Sequence, residues 1–139
     1  CAWVKTTTAQ QSNIVTWGGI DSGRRWLFRV DANGALALGV GGGYIATTAT
    51  VNNNQWHHVA AVLNSDGTPS VNEVLLYIDG VLQSATASSS QTIDTSVENV
   101  LIGALKNSGV PGGFFVGLID EVQVYNRALS AAEIAALAQ

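Results

Sequence analysis

A chain of 139 residues, 47% hydrophobic and 12% charged, is long enough to bury one sizeable core and too short for two ordinary domains. Its net charge is −4, and Arg24, Arg25 and Arg29 form the one basic cluster, too small for a phosphate-tracking stripe, so no nucleic-acid partner is expected. No apolar run approaches the roughly 18 residues of a bilayer span, and no basic amphipathic stretch exists, so no membrane partner is expected either.

The charged share is about half the usual level, and Ser, Thr, Asn and Gln take its place, a composition common on extracellular β domains. Cys1 is the single cysteine, so a secreted chain would have to stand without an intrachain disulfide. Without a partner cysteine or a His–Cys spacing, Cys1 also makes a poor catalytic or zinc candidate. No leader is visible at Cys1, so the sequence is expected to be a processed or excised form.

In chain order, short β-prone runs recur between Gly, Asn and Asp. They predict strands over Ala2 to Thr8, Asn13 to Trp17, Arg25 to Val30, Ala35 to Val40, Tyr44 to Thr48 and Trp56 to Leu63. Further strands are predicted over Glu73 to Ile78, Val81 to Ala85, Val100 to Ile102 and Phe114 to Tyr125. Asp79-Gly80 between two apolar runs is a strong hairpin signal, because both turn positions need φ > 0. Asn33-Gly34 reads the same way, and Asp66-Gly67 marks a longer loop ending near Pro69. Period-two alternation puts Trp26, Phe28 and Val30 on a core face and turns Arg25, Leu27 and Arg29 outward, with Arg29 open to solvent. It also puts Leu36, Leu38 and Val40 inside, leaving a shallow face of Ala35, Ala37 and Gly39 that suits either a flat binding surface or a packed neighbouring loop.

One helix is predicted. Ser130 and Glu133 form a capping box, and Ile134 with Leu137 supplies an apolar pair for docking, without which so short a helix would not hold. Gln83 to Ser96 reads as a strand edge and loop. The expected architecture is all-β, an antiparallel two-sheet jelly-roll sandwich with one short C-terminal helix, as a single domain over residues 1–139.

Three motifs carry a resemblance. Asn54-Gln55-Trp56-His57-His58-Val59-Ala60 is similar to a W-x-H-V-A strand, and Leu76-Tyr77-Ile78-Asp79-Gly80 to an L-Y-V-D-G hairpin. Gly117-Leu118-Ile119-Asp120-Glu121-Val122-Gln123-Val124-Tyr125-Asn126-Arg127-Ala128-Leu129-Ser130 is similar to a G-x-I-D-E-V-x-I-Y-N-R-A-L-S closing strand, and Ala2-Trp3-Val4-Lys5 to an A-W-V-K strand. Together they resemble the laminin-G-like, concanavalin A-like lectin/glucanase jelly-roll family over nearly the whole chain. Family members usually carry a further strand before A-W-V-K that pairs with the closing strand, here Leu118 to Tyr125, and this sequence lacks it. The resemblance therefore implies an uncovered edge, which another chain or a swapped segment would cover, giving a homo-oligomer.

The resemblance includes β-glucanases, whose paired carboxylates stand in an E-x-D-x-x-E strand. No such spacing occurs here, and Asp120-Glu121, being consecutive, face opposite ways in a strand. His57-His58 cannot chelate one ion for the same reason, and the resemblance makes His58 a framework residue that hydrogen-bonds internally. Gly39 to Gly43 lacks a phosphate-loop pattern and reads as a turn. The resemblance implies a structural Ca²⁺ at Asp120, completed by backbone carbonyls, with a loop-capping Asp as the alternative. It also implies saccharide recognition by an aromatic platform with nearby polar groups. The candidates are Trp17, Trp26 and Tyr44 outside the framework motifs, Arg29 on the outward face, and Asn53 in the Asn52-Asn53-Asn54 loop, whereas Trp3 and Trp56 are expected in the core.

The sequence thus predicts a non-catalytic carbohydrate-binding or glycan-recognition module, part of a larger secreted or surface protein, with a carbohydrate or glycoprotein as partner. A protein-interaction or adhesion domain of the same fold is the alternative, and a β-glucanase- or lyase-type enzyme the third reading.

Overall fold

Alternating apolar residues and tight reversals build strands that pair with their chain neighbours, then cross between two layers. The computed structural model describes residues 1–64, 66–88 and 90–139. Its strands are β1 (Ala2–Lys5), β2 (Ser12–Gly18), β3 (Arg25–Val30), β4 (Ala35–Gly39), β5 (Tyr44–Thr50), β6 (Trp56–Val62) and β7 (Leu75–Ile78). They continue as β8 (Val81–Leu82), β9 (Ala85–Ala87), β10 (Leu101–Ile102), β11 (Leu105–Asn107), β12 (Val110–Gly112) and β13 (Leu118–Asp120), followed by the helix α1 (Ala131–Leu137). One antiparallel sheet has the order β13-β1-β6-β7-β8, the other β10-β2-β3-β4-β5-β9, and β11-β12 is a separate hairpin.

The main core lies between the two sheets. Trp26, Phe28, Val30, Leu36, Leu38 and Val40 enter it from the six-stranded sheet, as their alternation predicts, and meet Ala2, Val4, Val59, Leu76 and Ile78 of the other. A second, smaller cluster forms on the outer face of the five-stranded sheet, where Leu129 and Ile134 cover Ala60, Val62 and Tyr77. The predicted capping box is present: the Ser130 hydroxyl accepts from the Glu133 N–H, and the Glu133 carboxylate accepts from the Ser130 N–H.

The two reversals read from sequence differ. Asp79 and Gly80 both take positive φ, 51° and 77°, as an Asp-Gly hairpin requires. At Asn33-Gly34 only Gly34 does so, at 85°, and the Gly34 N–H donates to Asp31 O while the Asp31 N–H donates to Ala35 O. That is a three-residue loop with a bulge, not a two-residue turn.

Several strand limits also differ from expectation. β1 stops at Lys5 because the Thr6 and Thr8 hydroxyls accept from the N–H groups of Thr8 and Gln10, drawing the chain off the ladder. The run expected over Val81 to Ala85 is two strands: β8 stays beside β7, whereas β9 pairs with β5 in the other sheet. The closing strand is shorter than Phe114 to Tyr125, ordered as a strand over Leu118–Asp120. Gly117 at φ 144° bounds it on one side and Glu121 at φ 46° on the other. Beyond Glu121 one residue is inserted: Trp3 faces Asp120, yet Cys1 exchanges hydrogen bonds with Gln123 at 2.8 and 2.9 Å. The hairpin β11-β12, turning at Ser108 (φ 47°) and Gly109 (φ 88°), was not predicted.

Candidate functional site

The outer face of the six-stranded sheet is where strand register gathers polar and aromatic groups. In β3 to β5, Leu27 lies opposite Gly39, and Gly39 opposite Tyr44, so these three form one row across the sheet. Arg29 sits two residues along β3, opposite Ala37. Gly41 and Gly42, both at positive φ, turn the chain back sharply and keep the rim between β4 and β5 low. Ser88, just past β9, closes the side, with its N–H donating to Tyr44 O at 2.8 Å. The result is a hollow of about 270 Å³ lined by Leu27, Arg29, Gly39, Tyr44, Ser88 and the glycines of the turn.

Tyr44 presents its ring at the rim, 42% exposed. Arg29 is not open to solvent as expected: its side chain is 14% exposed and its Nε donates to Asp31 Oδ1 at 2.6 Å. That bond fixes the plane of the guanidinium, whose two terminal nitrogens make no hydrogen bond with any described residue. A Cβ on Gly39 would stand 2.7 Å from Arg29 Nη1, so the absence of a side chain there is what lets the guanidinium lie across β4. The shallow Ala35, Ala37 and Gly39 face is therefore partly a packed surface, with Ala35 and Ala37 both buried.

The other candidate residues lie elsewhere. Trp17 and Trp26 stack at 5.0 Å and 12° on the inner side of the same sheet. They line a cavity of about 480 Å³ with Phe28, Leu63, Tyr125 and Leu129. One ring face of each is taken up by the other, and both lie on the sheet face opposite Arg29 and Tyr44. Asn53, in the loop after β5, is at the opposite end of that strand from Tyr44, and its Oδ1 accepts from the Gln55 N–H and from His57 Nε2. His57 Nδ1 in turn lies 2.7 Å from Asp79 Oδ2, so Asn53 ties two loops together. Asp120 is exposed and accepts from the Glu121 N–H at 2.8 Å. Among the described residues no three His, Cys, Asp or Glu side chains gather as a metal cluster.

Three framework expectations need correction, the first being Trp3, which is half-buried and joins neither core cluster. Trp56 is 42% exposed, not core, because it shares the outer face of β6 with His58 and Ala60 but lies outside the helix-covered cluster. His58 is buried, yet its ring Nδ1 has no described hydrogen-bond partner. It packs edge-on against Trp3 at 5.6 Å, and its main-chain N–H, not its ring, bonds Asp79. Burial, with the nearby terminal ammonium, pushes its pKa below the usual histidine value, which keeps the imidazole neutral.

Sequence reasoning turned Leu27 outward and put Gly39 on a shallow face without joining either to a site, and it missed Ser88. The signal for Gly39 was a glycine opposite an arginine-bearing strand, readable only once the register was known.

Comparison with known proteins places this architecture. The sequence matches the family described as the concanavalin A-like lectin/glucanases superfamily over residues 1–135. No curated protein matches it. Among solved structures, CBM40 of the Ruminococcus gnavus IT-sialidase bound to α2,3-sialyllactose superposes with a TM-score of 0.77 at 20% identity, covering 99% of this chain and 80% of that one. The structure titled only as that CBM40 gives the same values. A Bacteroides ovatus protein with a proposed carbohydrate-binding role gives 0.70 at 17% identity, covering 96% of this chain and 38% of the other. At such identities these likenesses establish the fold. With the residue motifs and the two-sheet topology, the match over residues 1–135 makes the chain a member of the concanavalin A-like lectin/glucanase superfamily.

Proposed function

We propose that this chain is a non-catalytic saccharide-binding module whose ligand lies in the hollow between Arg29 and Tyr44. The observation that carries this reading is the pairing, on one outer sheet face, of an exposed aromatic ring with guanidinium donors that no described residue uses. A sugar offers an apolar ring face to Tyr44 and oxygen acceptors to Arg29. The similarity in fold to a CBM40 bound to a sialylated sugar supports the reading. No Asp, Glu or His lines the hollow among the described residues, so the acid and nucleophile pair of a glycosidase is not assembled there.

A glycan array with the folded chain, followed by calorimetry, tests the proposal. Tyr44→Ala is expected to weaken binding about tenfold or more while leaving the melting temperature nearly unchanged, since the ring packs at the rim. Uniform non-binding by folded protein across the array would defeat the reading.

We place the module in a secreted or surface-exposed parent that meets carbohydrate or glycoprotein, a placement that antibody labelling of intact cells checks. Calcium at Asp120 is retained in a one-carboxylate form, completed by carbonyl oxygens and water. Identical melting in calcium and in chelator removes it. A second reading, protein contact through the closing edge, rests on the exposed Val116, Leu118 and Val124 beside β13. Sedimentation as a monomer at all concentrations would count against it.

A further inference from the structure

We infer that the saccharide taken by this hollow is acidic, with a sugar carboxylate received by the two terminal nitrogens of Arg29. The inference rests on the saccharide-binding reading above and adds the class of ligand.

Three features of the site lead to it. Asp31 holds Nε at 2.6 Å, so the guanidinium is fixed in plane and presents Nη1 and Nη2 together as a fork. A planar fork matches the two oxygens of a carboxylate and forms two parallel charge-assisted hydrogen bonds, each about twice as strong as a neutral one. Second, the bed beneath the fork is made of residues without bulk: Gly39, where a Cβ would stand 2.7 Å from Nη1, and Ala37 opposite Arg29. A larger residue at 39 would lift the guanidinium from this position. Third, Arg29 is the one charged side chain lining the hollow among the described residues. Asp31 already balances the charge, and the terminal N–H groups reach water instead of being sealed in, so the fork stays open to an entering carboxylate. The site is thus organised before the ligand arrives.

The rest of the molecule does not attract anions, because its net charge is −4. Recognition of an acidic sugar must then come from short-range contact at Arg29 and not from long-range steering. A neutral sugar could hydrogen-bond the same donors, but would gain no charge assistance from them.

The test uses matched pairs with the whole chain in calorimetry: α2,3-sialyllactose against its carboxyl-reduced form, and oligogalacturonate against its carboxyl-reduced form. A sulfated galactan oligosaccharide is added as a different anion. The acidic member of at least one pair should bind about tenfold or more tighter than its neutral partner. Arg29→Gln should reduce the acidic member to the neutral level. Gly39→Ala keeps the charge and a permitted backbone while displacing the fork, and it should reduce the preference in a protein that still melts cooperatively. This second variant keeps the test decisive where Arg29→Gln destabilises the fold by leaving Asp31 unpaired. Equal binding within both pairs, still lost in Tyr44→Ala, would overturn the acidic inference and leave the site intact. Preference for the sulfated sugar over both carboxylated ones would overturn carboxylate recognition. Binding of nothing in the pairs or on a broad array would defeat the underlying saccharide reading, and this inference with it.

Discussion

Leu38→Ala is expected to lower the free energy of unfolding by about 2–5 kcal/mol, the range for emptying a leucine site in a rigid core. Leu38 is fully buried on β4, with Phe28 opposite it on β3 and Ile45 opposite it on β5. Both neighbours belong to hydrogen-bonded strands of the same sheet, so none can move far enough to fill the space. Urea denaturation would read the loss directly, and the melting temperature should fall by roughly 10 °C in a domain of this size. Leu82→Ala serves as the comparison: at 51% exposure on β8, it should cost less than about 1 kcal/mol. A loss at Leu38 as small as that at Leu82 would mean that the two sheets close over the gap, against the packing described.

Gly117→Ala should be nearly as damaging, by another route. Gly117 holds φ at 144°, which side-chain-bearing residues rarely adopt. A Cβ there would lie 2.3 Å from Lys5 O and 3.0 Å from both the Phe115 ring and Thr6 Cβ. The main-chain oxygen cannot step aside without pulling β1 away from β13. Backbone strain of about 1–3 kcal/mol and overpacking of similar size would add, loosening the segment before Leu118. Hydrogen exchange should show the amides of Leu118–Asp120 losing protection before those of β3 and β4. Unaltered protection along β13 would contradict this account.

Alternation made the inner faces legible, because residues such as Trp26, Phe28 and Val30 are apolar for one reason, contact with the opposite sheet. Tight turns were legible where a single backbone solution exists, as at Asp79-Gly80. The hairpin Leu105–Asn107 with Val110–Gly112 was not, since Lys106, Asn107 and Pro111 carry no alternation and its pairing comes from the ladder itself. Trp56 misled for a different cause. Its motif marks a strand whose outer face is only partly covered by α1, and the composition of β6 does not say where that cover ends. The hollow escaped because it is a property of register. Arg29 and Tyr44 were singled out separately, but their nearness depends on Gly39 lying between their strands and on Ser88 arriving from the strand that changes sheets. The stacking of Trp17 on Trp26 likewise follows from cross-strand pairing that no single strand reveals.

The small size of the hollow bears on how such a module would be deployed. At about 270 Å³ it falls just below the roughly 300–1,000 Å³ of pockets that engulf a drug-sized ligand, so it can grip about one sugar unit. One copy acting alone would release its ligand quickly. Useful retention would then come from avidity, with several copies tethered in one parent or many glycan ends crowded on one surface, each raising the effective concentration for the next.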